Sequence, residues 1–573
     1  MTLPTLQELL TWPPGQAPYE KQEEAHQATV GMRLAALLME QRTGKTIVTL
    51  GATVYHYGRF INAGGFGPKL AAELPKLRDF NRIRDLPAAP KSVYRPASWA
   101  TRGIDALLTI SMPGGVPFNW DDEAKLRLPE PVRAKTMVWR SSLSDNVYYA
   151  KELRELVEHH GLACLFVNGE ALASVTARKA ISLFLRTRRA LVVADETSLL
   201  ASQPGNVRAR VLEAIKKLPG SIIRRVLDGT PSDENPLDLF AQLSFLDRNV
   251  LGFEKWSDFK RFYAEWEQKE VWIKDKKTGV PKQNFFPVQA VDELGRKKFQ
   301  NLDVLADRLA TVSFRVRRKD VFDIPDKLYR PYHFDLSPAQ RAVYDPLRTE
   351  FEAELRTGKK VSAAHVLTRM IRLDQVASNY VPGEKLPMIC ANCQGDGCFA
   401  CNDVGAVIFK TAKTIVDPKS NPRLDAFGDV LRMNPEPGIV WAVFDETVDA
   451  VLGFAKAMGR KVVRYDGKVD DEDKLVNLSR FKRGIADLIV TKESSLGRGL
   501  DGRAASWMCY VENGFSNRKR SQSEDRAEVA GRHAGTLIVD LLANDTFDEV
   551  KREAHAAKAE PAEYVMGKIG RKG

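Results

Sequence analysis

Met39-Glu-Gln-Arg-Thr-Gly-Lys-Thr46 closes on Gly44-Lys45-Thr46, the half of a phosphate-binding loop that touches a nucleotide. Such a loop turns from a strand into a helix, so backbone N–H groups and the helix N-terminus face the phosphates. Thr43, Gly44, Lys45 and Thr46 are therefore the nucleotide-binding candidates. The lysine reaches the outer phosphates and the threonine hydroxyl ligates Mg²⁺. Leu34-Ala-Ala-Leu-Leu-Met39 is expected to be the strand before the loop, and Ile47-Val-Thr-Leu50 to open the helix after it. The strict G-x-x-x-x-G-K-[ST] pattern fails, because Met39 stands where its first glycine belongs. The reading thus depends on the rest of the chain.

Ala190-Leu-Val-Val-Ala-Asp-Glu-Thr-Ser198 is an apolar run that ends abruptly in two carboxylates. Short continuous apolar runs suit central parallel strands, buried on both faces. Ligands of such sheets bind beyond the carboxyl ends of the strands, where Asp195 and Glu196 would project. One carboxylate is needed to hold Mg²⁺ and a second to orient or deprotonate an attacking water. Asp195 fits the first role and Glu196 the second. An Asp-Glu helix cap after a buried strand is the competing structural reading.

The order of segments resembles the superfamily 2 helicases, and in particular their Swi/Snf-type translocase branch. Tyr19-Glu-Lys-Gln22 matches the family's adenine-reading glutamine segment, so Gln22 is expected to select ATP. Trp120-Asp-Asp-Glu123 resembles a Trp-x-x-Glu segment of the family, and Leu227-Asp-Gly-Thr-Pro231 its T-G-T-P motif. Phe314-Arg-Val-Arg-Arg-Lys-Asp-Val321 is typical of the Swi/Snf branch. In the second half, Gly438–Phe444 reads as a core strand. Tyr465-Asp-Gly467, Asp487–Val490 and Gly497-Arg-Gly-Leu-Asp501 match the motifs that line the second lobe's side of the cleft. Gly499 and Asp501 are cofactor-binding candidates on that basis. Gln522–Arg526 and Gly531-Arg532 match the last motif, which supplies arginines to the phosphates. Val529 stands where the Swi/Snf consensus has its second arginine, so Arg526 and Arg532 both remain candidates for the cationic finger, and a solvated Arg532 is the bland alternative. Arg42 replaces a small residue within the phosphate loop; it could contact phosphate, a carboxylate, or only solvent.

The resemblance implies an α/β protein of two RecA-like P-loop NTPase lobes with helical insertions and a small zinc-binding insertion. Lobe 1 is expected over 1–246, a helical protrusion and linker over 247–330, the start of the second half over 331–415, and lobe 2 over 416–573. Residues 51–103 form a basic insertion with nine Lys/Arg against three Asp/Glu and interleaved aromatics. Basic residues neutralise phosphates and aromatics stack on bases, so this insertion is a candidate for DNA contact; a small aromatic core of its own is the alternative.

Cys390-Ala-Asn-Cys393 and Cys398-Phe-Ala-Cys401 give C-x₂-C-x₄-C-x₂-C within the expected zinc insertion 388–406. Two such hairpins present four thiolates as a closed tetrahedron, so the Zn²⁺ would be structural. Whether it braces the lobe junction or contacts nucleic acid stays open. Cys164 and Cys509 read as core cysteines.

The chain's 573 residues are 44% hydrophobic and 28% charged, with no run apolar enough to span a membrane. No secretory signal is read, and the cysteine usage points to a reducing cytoplasm, with a compact layout like that of phage or bacterial members. A net charge of +12 favours a polyanionic partner. The expected activity is ATP-dependent movement on DNA, double-stranded in preference to single-stranded or forked, with RNA a lesser candidate. Two rivals stand beside it: a strand-separating helicase of replication or repair, and a nucleic-acid-binding scaffold with a degenerate ATP site.

Overall fold

The computed structural model describes residues 3–40, 42–64, 82–83, 103–112, 116–201, 205–229, 235–274, 281–292, 297–322, 325–356, 363–389, 406–493, 495, 500, 502–527 and 535–557. The chain forms two compact units, the first mainly Met1–Ala290 with Lys297–Ile324, the second mainly Pro325–Leu496 with Leu500–Gly573.

The first unit is built on β1 (Leu34–Met39), β2 (Ala106–Ser111), β3 (Lys135–Val138), β4 (Ala163–Asn168), β5 (Ala190–Asp195) and β6 (Ser221–Asp228), with β9 (Ser313–Val316) at one edge. They form one seven-stranded sheet in the order β3-β4-β2-β5-β6-β1-β9, parallel throughout. The apolar runs are long because both faces are covered. Ala190, Val192 and Ala194 of β5 enter one core, while Leu191 and Val193 enter another on the opposite face. The second core also takes Tyr57 and Phe60, which lie on the helix Lys45–Asn62. Two aromatics of the basic 51–103 segment are thus core side chains of the helix after the phosphate loop, and most of the remaining segment lies outside the described residues.

Residues 247–330 depart from the helical expectation. They carry helices Trp256–Tyr263 and Leu302–Ala310, but between them run β7 (Trp266–Lys274) and β8 (Pro281–Gln289), paired antiparallel as a ribbon. The aromatic spacing that predicts helix ends at Tyr263. Beyond it, Trp266, Val271, Trp272 and Ile273 favour strand. The same stretch closes with β9 and opens β10 (Leu328–Phe334), which belong to different sheets.

In the second unit β10, β13 (Gly438–Ala442), β14 (Val462–Tyr465), β15 (Leu488–Lys492), β16 (Trp507–Tyr510) and β17 (Leu537–Ala543) form a parallel sheet in the order β10-β17-β16-β13-β15-β14. Ile439 and Trp441 face one core and Val440 and Ala442 the other. Before β13 the chain inserts an antiparallel ribbon, β11 (Tyr380–Ile389) with β12 (Ala406–Thr414). Asn379 closes its base. Asn379 takes the left-handed conformation (φ +76°), its carboxamide oxygen accepts from the N–H groups of Ile415 and Val416 at 3.2 and 2.9 Å, and its NH₂ donates to the Val416 carbonyl at 3.1 Å.

Candidate active site

Sheet order brings the first unit's chemistry to one edge. β1 is hydrogen-bonded to β6 and β6 to β5, with Asp195 level with Leu227 and Asp228 level with Leu38. The carboxyl ends of β1, β6 and β5 therefore deliver the phosphate loop, Asp228 and Asp195-Glu196 side by side, at the edge where parallel sheets bind ligands. Gly44 makes the turn from β1 into the helix. It takes φ +99° as the helix N-cap, and any Cβ there would collide with the Gln22 carboxamide. Arg42 also takes a left-handed conformation, at φ +68°.

Gln22 is buried at 2% exposure and laces the loop to helix Glu20–Thr29. Its Nε2 donates to the Thr43 carbonyl at 3.1 Å and its Oε1 accepts from the Tyr19 N–H at 3.1 Å. The two bonds use one of its two donor positions and one of its two acceptor positions, which leaves one of each. Thr43 turns its hydroxyl onto the Glu40 carbonyl at 2.7 Å, and Glu40 in turn accepts from the Arg318 N–H at 2.8 Å.

Lys45 starts the helix and lies 3.4 Å from Glu196 Oε1, with both side chains largely enclosed. Glu196 takes a left-handed conformation (φ +52°) as cap of the short helix Thr197–Leu200. Burial would lower the pKa of the ammonium, but Glu196, Asp195 and Asp228 together hold it above its ordinary value. Burial, reinforced by Glu196, pushes the Asp195 carboxyl up to about 6 against the opposing pull of Lys45 and of the Trp120 N–H. Asp228 is raised in the same way, first by burial and then by Glu196. One ammonium among three carboxylates leaves a surplus of negative charge that a divalent cation would relieve. Thr46 lies on the first helical turn and is partly exposed.

Two contributors lie outside the sequence-derived set. Asp228 accepts from the Ser198 N–H at 2.6 Å and lies 3.3 Å from the Thr197 hydroxyl, so it ties the end of β6 to the turn that carries Glu196. In the sequence it appears only inside Leu227-Asp-Gly-Thr-Pro231. Trp120, on helix Val116–Arg127, donates its indole N–H to Asp195 Oδ2 at 3.0 Å. Spacing along the chain carries no sign of that contact.

Gln22, Thr43, Gly44, Lys45, Thr46, Asp195 and Glu196 all belong to the first unit, those of the loop and the β5 end meeting directly. Arg526 belongs to the second. It follows helix Asn517–Glu524, is partly buried, and its carbonyl accepts from the Gly502 N–H at 3.2 Å. Arg532, Gly499, Asp501 and the four cysteines Cys390, Cys393, Cys398 and Cys401 lie outside the described residues. Among the described residues no cluster of three or more His, Cys, Asp or Glu is arranged to hold a metal ion alone. No described helix is long and apolar enough to cross a membrane.

A parallel α/β sheet with a lysine-bearing phosphate loop at the carboxyl end of β1, and carboxylates at the ends of nearby strands, is the architecture of the P-loop nucleoside triphosphatases. No protein-family model matches the chain. The TATA-binding protein-associated factor mot1 of Aspergillus fumigatus is 22% identical over 403 residues, covering 65% of this chain and 20% of that protein. An uncharacterized ATP-dependent helicase of Mycoplasma pneumoniae is 20% identical over 454 residues, 79% of this chain and 36% of that one. The chain thus spans about a fifth to about a third of the length of these two relatives. The Sulfolobus solfataricus SWI2/SNF2 ATPase core in complex with dsDNA aligns over 96% of this chain and 93% of that one, at 14% identity and a TM-score of 0.34. In sequence the chain is thus similar, at 20–22% identity, to parts of proteins named as an ATP-dependent helicase and as a TATA-binding protein-associated factor.

Proposed function

We propose that the chain hydrolyses ATP and couples that hydrolysis to movement along double-stranded DNA. The observation that carries the catalytic part is the Lys45 ammonium seated among Glu196, Asp195 and Asp228 beside the turn at Gly44. Lys45 pairs with Glu196. A triphosphate in the loop offers the ammonium a stronger partner, which releases Glu196 to orient or deprotonate the attacking water. Gln22 retains one donor and one acceptor position for the adenine edge. Thr46 and Asp195 would hold the Mg²⁺ that accompanies ATP, and that ion neutralises charge on the phosphates. Asp195 suits the role because each of its oxygens accepts one protein hydrogen bond and keeps a further acceptor position. Arg526 and Arg532 are the proposed candidates for the cationic finger, and Gly499 and Asp501 for nucleotide contact.

The DNA part rests on the motif series and on the excess of basic residues. The cysteine quartet is proposed to hold a structural Zn²⁺ at the tip of the β11–β12 ribbon, because Ile389 pairs with Ala406 and brings the two ends of the cysteine-bearing segment together.

The test is ATP turnover with double-stranded DNA, single-stranded DNA and RNA, in the wild type and in Lys45→Ala and Glu196→Gln variants. Duplex DNA should stimulate turnover most. Glu196→Gln should keep nucleotide binding and lose turnover. No nucleic-acid stimulation above the Lys45→Ala level would overturn the motor reading and leave the scaffold. Triplex displacement without unwinding of forked duplexes is expected; unwinding would make the protein a strand-separating helicase.

A further inference from the structure

Asp195 is fixed from two sides. Its Oδ1 accepts from the Glu196 N–H at 3.0 Å, a local bond made by the turn itself. Its Oδ2 accepts from the Trp120 indole at 3.0 Å, a bond that comes from another helix. The carboxylate torsion of an aspartate is broad, so a single local bond leaves the group free to swing. The second bond removes that freedom.

Packing alone does not account for a tryptophan here. Trp120 is 1% exposed and stacks on Phe166 of β4, with ring centroids 6.5 Å apart. A phenylalanine or leucine could fill such a site. The indole adds a donor that cannot accept, placed on a buried carboxylate already crowded by Glu196 and Asp228. It is also a neutral donor. An arginine or lysine at this place would orient Asp195 equally well, but its charge would compete with a cation for the same carboxylate.

We infer that Trp120 is a positioning residue for the nucleotide's Mg²⁺, holding the Asp195 carboxylate in the rotation that receives the cation. The inference rests on Asp195 being the magnesium carboxylate of the proposed ATPase.

Binding of a fluorescent ATP analogue to the full chain, titrated with Mg²⁺ and repeated in EDTA, tests it. Trp120→Phe should raise the half-saturating Mg²⁺ roughly ten-fold or more, as expected for losing a hydrogen bond to a charged group. Its affinity for the analogue in EDTA should match the wild type, and high Mg²⁺ should restore turnover. Phe166→Leu loosens the stacking partner but leaves the N–H in place, so its Mg²⁺ midpoint should stay at the wild-type value. An unchanged midpoint in Trp120→Phe, or the same shift in Phe166→Leu, refutes the positioning role. If Trp120→Phe loses its cooperative melt, Trp120→Met carries the same comparison, since it too lacks the donor. Failure of the underlying ATPase reading looks different: the wild type itself would bind the analogue no better than Lys45→Ala, with or without Mg²⁺.

Discussion

Replacing Lys45 by methionine keeps the side-chain stem and removes the ammonium from among three buried carboxylates. At the observed 3.4 Å from Glu196, and with an effective dielectric of about 20, the lost attraction is about 5 kcal/mol. Removing the ammonium also removes its own desolvation cost, so the net destabilisation of the nucleotide-free protein should be about 3 kcal/mol at pH 8. That corresponds to roughly 6 °C in melting temperature for a unit of this size. The pH dependence gives the more specific signature. Asp195 titrates near 6 in the fold and near 3.8 when unfolded, so its burial costs stability progressively as pH rises between those values. Without Lys45 its folded value climbs further, and the cost goes on accumulating above pH 6. The gap between wild type and variant should therefore widen from pH 5, where the Asp195 carboxyl is largely protonated, toward pH 8. Lys45 itself titrates above 10.5 and does not contribute in this window. Thermal melts in EDTA without nucleotide at pH 5 and pH 8 measure the gap. A loss of stability equal at both pH values, or none at pH 8, would refute the charge cluster as the origin.

Three further outcomes are expected. Gly44→Ala must bear both a left-handed backbone, worth about 1–2 kcal/mol, and a collision with Gln22, so fluorescent-nucleotide binding should fall at least ten-fold while the second unit melts unchanged. Glu493 is buried in the second unit with its carboxyl pushed up to about 7, first by burial, and its Oε1 has no partner among the described residues. The raised value means that ionisation costs stability above pH 4.5, so Glu493→Gln should stabilise the protein by up to about 3 kcal/mol at pH 8 and by almost nothing at pH 4.5, read by denaturant titration. Cys390→Ser with Cys393→Ser should abolish stoichiometric zinc measured by elemental analysis, and zinc retained at the wild-type level would contradict the proposed tetrahedron.

Much of this arrangement was legible in the sequence because parallel strands buried on both faces leave a plain signal. Ala190–Asp195 and Leu34–Met39 are apolar at every position until chemistry interrupts them, and both are central strands. Asp228 appeared only inside Leu227-Asp-Gly-Thr-Pro231, because Arg224 and Arg225 interrupt its strand; its place beside Lys45 follows from sheet order, which brings β6 between β1 and β5. Trp120 was legible only as part of a family segment. Its bond to Asp195 joins residues 75 positions apart and depends on how one helix packs on the sheet. The β7–β8 ribbon was misread as helix because its strands lack clean alternation. Phe285 and Phe286, neighbours on β8, are both exposed, so no alternation marks that stretch of the ribbon.

Asn379 gives the second unit a modular architecture. A single carboxamide pins together the points where the chain leaves for the β11–β12 arm and where it returns. Loop closure at that neck is therefore settled locally, before any residue of the arm is specified. The register of β10 on β17 and of β13 on β15 is set by residues outside this arm. The arm is thus an accessory carried by the sheet and not a part of it.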